Sequence, residues 1–156
     1  MSERESAYGL ILDEATRAVS DQQSAVDALH ARAGVVASAA ALLASVVLEA
    51  LAQEPVAGFG LRLALVCYLL VAVSAGYVLW PRRSWRFHFR AGQLQWLYVE
   101  SAESLSLSLI KRDLALHFDR YFAHNAARID RMTWAFAASL ALLLLGTGGL
   151  VYDHWR

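Results

Sequence analysis

The sequence predicts an all-α integral membrane protein, and three observations lead to that prediction. Apolar residues make up 58% of the 156 residues and charged residues 18%, against roughly 45–50% and about 25% in soluble domains. Three stretches, residues 34–52, 61–80 and 132–152, are nearly free of charge and long enough to cross a hydrocarbon core of ~30 Å as helices. The remaining segments carry the periodicity of amphipathic helices. We expect one domain with three transmembrane helices, extended by a cytoplasmic helical bundle.

The first segment, residues 6–33, is predicted to be a cytoplasmic amphipathic helix. Its apolar residues recur every seven positions, with a glutamine and a leucine at intermediate positions, and we call this set the seam: Leu12, Val19, Gln22, Val26 and Leu29. Such a pattern is that of a heptad repeat with one polar residue in it. A seam of this length needs a partner. The sequence leaves open whether that partner is another helix of the same chain or a neighbouring subunit.

The first span, residues 34–52, follows without any helix breaker, so one continuous helix is expected. Small residues recur along one side at three- and four-residue spacing, including Ser38 and Ser45. A strip of this kind allows close approach of another helix in a bilayer. Glu49 is the only acid of the span, and it is either an interfacial residue or part of a pore or cavity lining. We treat Glu49, Ser38 and Ser45 as candidate lining residues.

The second span, residues 61–80, stops at Pro81 and a basic aromatic collar containing Arg82, Arg83, Arg86 and Arg90. Residues 81–131 hold nine Lys or Arg against five Asp or Glu, whereas the turn of residues 53–60 has no base. The positive-inside rule therefore places the collar in the cytoplasm. Two crossings separate the collar from the N-terminus, which is then also cytoplasmic. These features predict a multi-pass membrane protein. Because 13 of the 14 basic residues are Arg and the chain is rich in Ala, we expect a bacterial sequence and hence the inner membrane.

Residues 81–131 are predicted to hold the collar and cytoplasmic helices. A short helix is expected over 92–100, and Ser101 or Ser104 is expected to cap a following amphipathic helix that packs on the seam. The third span, residues 132–152, continues from that helix and places the C-terminus outside. Its glycines at 146, 148 and 149 are expected to loosen the last turns. The alternative topology has two crossings, with the last apolar stretch peripheral.

The sequence carries no recognisable catalytic motif. No phosphate-binding loop or nucleophile elbow is present, and the single cysteine, Cys67, excludes an intrachain disulfide. A site built from His30, His117 and His124 would lack the carboxylate that usually accompanies such ligands. We therefore predict no enzyme, no metal and no cofactor. The net charge of zero gives no general attraction to nucleic acid.

The basic collar has two interpretations. In the first, its arginines fix topology and contact anionic lipid head groups. In the second, arginine and aromatic side chains together bind a phosphorylated ligand, because guanidinium groups pair with phosphate and aromatic rings stack on bases.

The order of parts resembles a known group of small bacterial membrane proteins. The helix DQQSAVDALHARAG runs into the first span as LHARAGVVASAAALLAS, followed by a tight turn, a return span, the LWPRR collar and the stretch from Asn125 to Arg131. This layout is similar to the Pycsar transmembrane effector family and the related SLATT-type domains of nucleotide-signalled antiphage defence.

The resemblance implies a homo-oligomeric effector that forms a pore or channel, or otherwise disrupts the membrane, as an antiviral defence. Its signal would be a cyclic nucleotide made by a partner cyclase and bound on the cytoplasmic side. Under this resemblance Glu49 would line the assembly, and the ligand contacts would come from Arg86, Arg90, Lys111 and Arg112. Two alternatives stay open: a non-conducting membrane scaffold or assembly protein, and a membrane-bound enzyme that uses the cytoplasmic histidines.

Overall fold

The chain folds into three helices in a computed structural model that describes residues 3–53, 58–81, 85 and 106–155. Helix α1 is Glu3–Gln53, α2 is Phe59–Leu79 and α3 is Leu107–His154. No strand occurs in these ranges. All three helices are long and apolar enough to cross a membrane. The predictions of an all-helical fold and of three membrane-length apolar helices are thereby confirmed for the described residues.

Both long helices run without interruption from an amphipathic segment into an apolar one. Helix α1 has 51 residues and α3 has 48, as expected from the absence of proline in either segment. Helix α3 starts after Ser106, whose carbonyl accepts hydrogen bonds from the amides of Leu109 and Ile110 at 3.0 and 3.2 Å. The predicted helix over 92–100 and the predicted caps Ser101 and Ser104 lie outside the described residues, as do the four arginines of the collar.

The described residues divide into two compact units. Unit 1 combines α1 up to Val26 with α3 up to Ile129. Unit 2 combines α1 from Asp27, the whole of α2, and α3 from Asp130. Unit 2 therefore contains the parts of the chain with the composition of membrane spans.

All three helices contribute to the core of unit 2. The buried cluster takes Val36, Ala40 and Val47 from α1, and Ala64, Tyr68 and Val71 from α2. Partly buried side chains of α3 pack against this cluster: Phe136, Leu142, Leu143 and Leu150. Lipid tails are as apolar as these side chains, so van der Waals fit rather than exclusion from water holds such a core together.

Glycines bring the start of α2 and the end of α3 into backbone contact. A Cβ atom added at Gly60 would overlap the carbonyl oxygen of Gly149, and one added at Gly146 would lie 2.8 Å from Cε1 of Tyr68. Only Gly148 of the predicted loosening glycines faces open space. For Gly146 and Gly149, the expected reason, that they loosen the last helical turns, is wrong. They are small because α2 packs directly on them.

In unit 2, the spacing within two pairs of residues typical of membrane interfaces matches the thickness of a bilayer. Trp80, the C-cap residue of α2, lies eighteen positions after Arg62, and Tyr152 lies eighteen positions after Trp134 on α3. At 1.5 Å per residue, each pair spans about 27 Å along its helix axis. All four side chains are exposed. Aromatic and basic residues at this separation match the two interfaces of a hydrocarbon core of ~30 Å.

The glycine contact predicts that Gly60→Ala is destabilising. The new methyl group must displace α3, and such overpacking costs about 1–3 kcal/mol. Thermal unfolding of the purified protein in detergent, followed by circular dichroism, measures the effect. Gly76→Ala is the matched control, because it lies on the same helix with nothing within 4 Å of the added atom. Equal effects of the two substitutions would contradict the close-contact explanation.

Candidate functional site

The end of α3 caps the start of α2 at a place that we call the Asp153 junction. Oδ2 of Asp153 accepts a hydrogen bond of 2.7 Å from the backbone amide of Leu61. Gly58 occupies the N-cap position of α2 and supplies no side-chain cap of its own. The first four amides of a helix lack partners within the helix, and a carboxylate there also interacts favourably with the helix dipole. Asp153 thus serves a distant helix in the way that an N-cap residue serves its own.

A cleft of 750 Å³ opens beside the Asp153 junction, and all three helices of unit 2 line it. Its wall is largely apolar, with polar groups from Gln53, Asp153 and His154. A second groove of 660 Å³ lies between α2 and α3 and is floored by Gly60, Gly148 and Gly149. Most of the residues that line the two cavities are apolar, which is typical of sites that bind apolar groups.

Hydroxyl pairs continue the α2–α3 contact away from the Asp153 junction. The hydroxyls of Tyr68 and Thr147 lie 3.4 Å apart, and those of Ser74 and Ser139 lie 2.7 Å apart. A hydroxyl has only one proton to donate, and the backbone carbonyls of Ala135 and Leu70 lie within hydrogen-bond distance of Ser139 and Ser74. One serine therefore donates across the pair while the other donates to its own helix.

These three polar contacts define the register of two antiparallel helices. The residue numbers of each pair add up to 213, 214 or 215, as they must when one helix ascends as the other descends. On α2 the contacts are seven and six residues apart, and on α3 they are six and eight residues apart, so successive contacts are separated by about two helical turns. A shift of α3 by one turn would break every contact.

Unit 1 contains a buried amide layer formed by Gln22 and Asn125. Nε2 of Gln22 donates a hydrogen bond of 3.0 Å to the backbone carbonyl of Phe122. Asn125 lies one turn further along α3 and is fully buried. Oε1 of Gln22 is also buried but accepts no hydrogen bond within the described residues. Burial of an acceptor without a hydrogen-bond donor lowers the stability of the fold. A single polar residue in a heptad seam is also a known determinant of helix register.

Most of the seam is buried within a single chain. In unit 1, Val19, Gln22 and Val26 are buried, as is Ala115 of α3, whereas Leu12 is half-buried. In unit 2, Leu29 is buried. The hydrogen bond from Gln22 joins α1 to α3 within unit 1, and the cytoplasmic position of the two segments stays a prediction. A role of these residues in an oligomer stays a prediction.

The face of α3 that the sequence predicts to be apolar is only partly buried. The three-to-four spacing of an amphipathic helix places Leu107, Phe122 and Asn125 on the apolar side; Leu107 and Phe122 are 54% and 40% exposed, whereas Asn125 is buried as that spacing predicts. Ala115, which is not part of that spacing, is buried as well. A small side chain and an amide approach the seam here because they allow the two helix backbones to lie close together.

The predicted lining residues all lie on the exposed surface of unit 2. We define the α1 polar face as Val35, Ser38, Leu42, Ser45 and Glu49, five exposed residues spaced three or four apart. The hydroxyls of Ser38 and Ser45 donate to carbonyls of their own helix, those of Gly34 and Leu42, at 2.9 and 2.7 Å. Glu49 makes no ion pair among the described residues. The α1 polar face therefore points away from the core of the chain.

Two of the four predicted ligand contacts are described, and both belong to unit 1. Lys111 is half-buried, and its Nζ lies close to Gly9, where a Cβ atom would approach it to 3.6 Å. Arg112 is exposed. Arg86 and Arg90 lie outside the described residues. Lys111 forms no ion pair in the described part of the chain.

His117 and His124, two of the three histidines of the candidate metal site, both belong to α3. Nδ1 of His117 lies 3.0 Å from the backbone carbonyl oxygen of Asp113 and 3.7 Å from its carboxylate, and His124 is exposed. Among the residues described, no three His, Cys, Asp or Glu side chains are grouped so as to hold a metal ion.

These observations define the class of the protein as a helical membrane protein with three candidate spans. No family model, curated protein sequence or solved structure is significantly similar to the chain.

The Asp153 junction predicts that Asp153→Ala destabilises the fold. Loss of a cap with a favourable charge costs about 1–2 kcal/mol, and Asp153→Asn should cost less because it keeps an acceptor oxygen. Thermal unfolding in detergent provides the comparison. Asp130→Ala, which removes an exposed acid of the same helix, should change the unfolding temperature little. If Asp153→Asn lowers the unfolding temperature as much as Asp153→Ala does, the charge of Asp153 alone matters.

The amide layer predicts that Gln22→Leu is stabilising. The buried Oε1 costs about 1–3 kcal/mol, which exceeds the roughly 0.5–1.5 kcal/mol gained from the single hydrogen bond. Replacement by leucine removes both Oε1 and Nε2 of the amide, which should raise the free energy of unfolding by about 1 kcal/mol. Urea titration in detergent measures this change. Gln23→Leu is the control one residue along, at a partly exposed position, and a destabilised Gln22→Leu variant would refute the prediction.

Proposed function

We propose that the chain is an effector of the bacterial inner membrane that assembles into oligomers and perturbs the membrane when a cytoplasmic signal arrives. The perturbation is a pore or channel, the signal is a cyclic nucleotide supplied by a partner cyclase, and the biological role is antiphage defence. The ligand and the role come from the resemblance of the chain's layout to that group of effectors.

One observation carries the proposal. The α1 polar face places two serines and a carboxylate on the outside of a helix that is long and apolar enough to cross a membrane. Ionisable and polar side chains in such a position are costly against lipid and generally face protein or water. Within the described part of a single chain no other helix covers this face, so an assembly of several chains would bring it against protein.

The signal is proposed to act on unit 1. Lys111 is half-buried and forms no ion pair among the described residues, and Arg112 follows it on the same helix. Lysine and arginine bind phosphate through charge-assisted hydrogen bonds. With Arg86 and Arg90 of the collar, these residues would supply a site for a phosphorylated ligand on the side of the membrane where the positive-inside rule places them.

Flux through liposomes tests the proposal. Purified protein is reconstituted into vesicles that contain a fluorescent dye, and cyclic mononucleotides are then added. We expect nucleotide-dependent leakage, and we expect Lys111→Gln to require at least about tenfold more nucleotide, which corresponds to 1.4 kcal/mol of binding free energy.

Arg17→Gln is the matched control for this measurement. Arg17 is an exposed base of α1 that lies 4.0 Å from the carboxylate of Glu14, so its loss should leave the response unchanged. An assembled protein that leaks under no nucleotide would refute the effector proposal and support the non-conducting scaffold. Leakage that Lys111→Gln does not alter would refute the assignment of the ligand site.

A further inference from the structure

Two charged side chains lie at the same level of unit 2, near the Asp153 junction. Glu49 is four residues before the end of α1 at Gln53, and Arg62 is three residues after the start of α2 at Phe59. These separations correspond to about 6 Å and 4.5 Å along the helix axes. Both helix ends line the same cleft, so the two charges share a depth in the membrane.

Glu49 and Arg62 do not pair within one chain. Both are exposed, and in the described part of the chain neither takes part in an ion pair. Their neighbours along each helix, Leu48 and Ala50 on α1 and Leu61 and Leu63 on α2, are apolar. Each charge is thus flanked by apolar residues, and no counter-ion is found for it among the described residues.

Each charge belongs to a helix face that no other part of unit 2 covers. The α1 polar face ends in Glu49. We define the α2 exposed face as Arg62, Val66, Leu69, Val73 and Gly76, whose spacing of four, three, four and three residues places them within about 80° of arc. Val66, Leu69 and Val73 are between 53% and 71% exposed. Both faces thus have the heptad spacing with which helices pack on one another.

We propose that the α1 polar face of one chain packs on the α2 exposed face of a second copy, with Glu49 paired to Arg62 of that copy. The proposal rests on the assembly put forward under the proposed function and names its contact surface. Helices α1 and α2 run in opposite directions, and Glu49 and Arg62 lie at the same depth. Two copies with the same orientation in the membrane therefore bring these opposite charges to one level.

This contact joins two different surfaces, so it is a head-to-tail contact and each copy keeps one free surface of each kind. Contacts of this type close into rings when the rotation between copies allows it, whereas contacts of a surface with itself give dimers only. The small side chains of Ser38, Ser45 and Gly76 allow the two helices to approach closely. A ring is the kind of assembly that a pore requires.

Thiol cross-linking in membranes tests the contact. In a Cys67→Ala background, Glu49→Cys and Arg62→Cys are placed on separately tagged copies and co-expressed. A short bifunctional thiol reagent is used because these long side chains keep their Cβ atoms beyond the reach of a direct disulfide. We expect a mixed cross-linked dimer when both variants are present and none with either variant alone. A single chain carrying both cysteines should give a ladder of higher species.

Glu49→Cys combined with Val151→Cys is the matched control. Val151 is exposed on α3 and lines the same cleft, so random collision would cross-link this pair as readily. Cross-linking of Glu49→Cys with itself would overturn the head-to-tail contact while leaving an oligomer in place. Monomers in every arm, by native mass measurement, would overturn both this contact and the assembly.

Charge exchange provides a second test that does not depend on cysteine chemistry. Glu49→Arg and Arg62→Glu should each reduce the oligomer at least about tenfold, because like charges then meet at the contact. The double variant restores opposite charges and should recover the assembly. Two harmful single variants without recovery in the double variant would overturn the pairing. Dye leakage is measured separately, so an intact ring that does not conduct would leave the contact standing and refute the pore.

Discussion

The register of α2 against α3 is the constraint on which unit 2 depends. A carboxylate cap, a phenol–hydroxyl contact and a serine pair join the two helices at three levels, and Gly60 and Gly149 allow their backbones to touch. Hydrophobic exclusion gives little preference for one register over another between helices in lipid. Polar contacts and steric fit must therefore set it. The same register brings the interfacial aromatic residues of both helices to matching levels, so one set of contacts fixes both the packing and the position in the bilayer.

Unit 1 uses polar groups for a similar purpose under different physical conditions. Its segments are amphipathic, and burial of Val19, Val26 and Ala115 supplies an apolar driving force that lipid-facing helices lack. That force does not distinguish one heptad position from the next. The hydrogen bond from Gln22 to the carbonyl of Phe122 does distinguish them, at a cost in stability. The single polar residue of the seam is thus best understood as a determinant of register.

The sequence predicted most of what depends on residue type and periodicity, and little of what depends on pairing between distant residues. The three membrane-length helices and the burial of the seam at Val19, Gln22 and Val26 follow from patterns within one segment. The contact of Asp153 with Leu61 joins residues 92 positions apart, and no local pattern indicates it. Gly60 and Gly149 were seen only as breakers or loosening residues, because a glycine in a sequence does not show which backbone approaches it. The ligand residues Arg86 and Arg90 stay predictions.

The helices of unit 2 also differ in the hydrogen bonds that hold them. Among the described residues, three side-chain contacts join α2 to α3, while the hydroxyls of α1 in this unit bond only to their own helix. The contact of α1 with its neighbours consists of apolar side chains such as Val36, Ala40 and Val47. Within unit 2, none of these side-chain hydrogen bonds of the described residues would be broken by a small rotation of α1, whereas separation of α2 from α3 would break three. In unit 1 the hydrogen bond from Gln22 to the carbonyl of Phe122 restrains the same helix. The helix with the exposed serines and Glu49 is therefore held in unit 2 by apolar packing and in unit 1 by a polar contact.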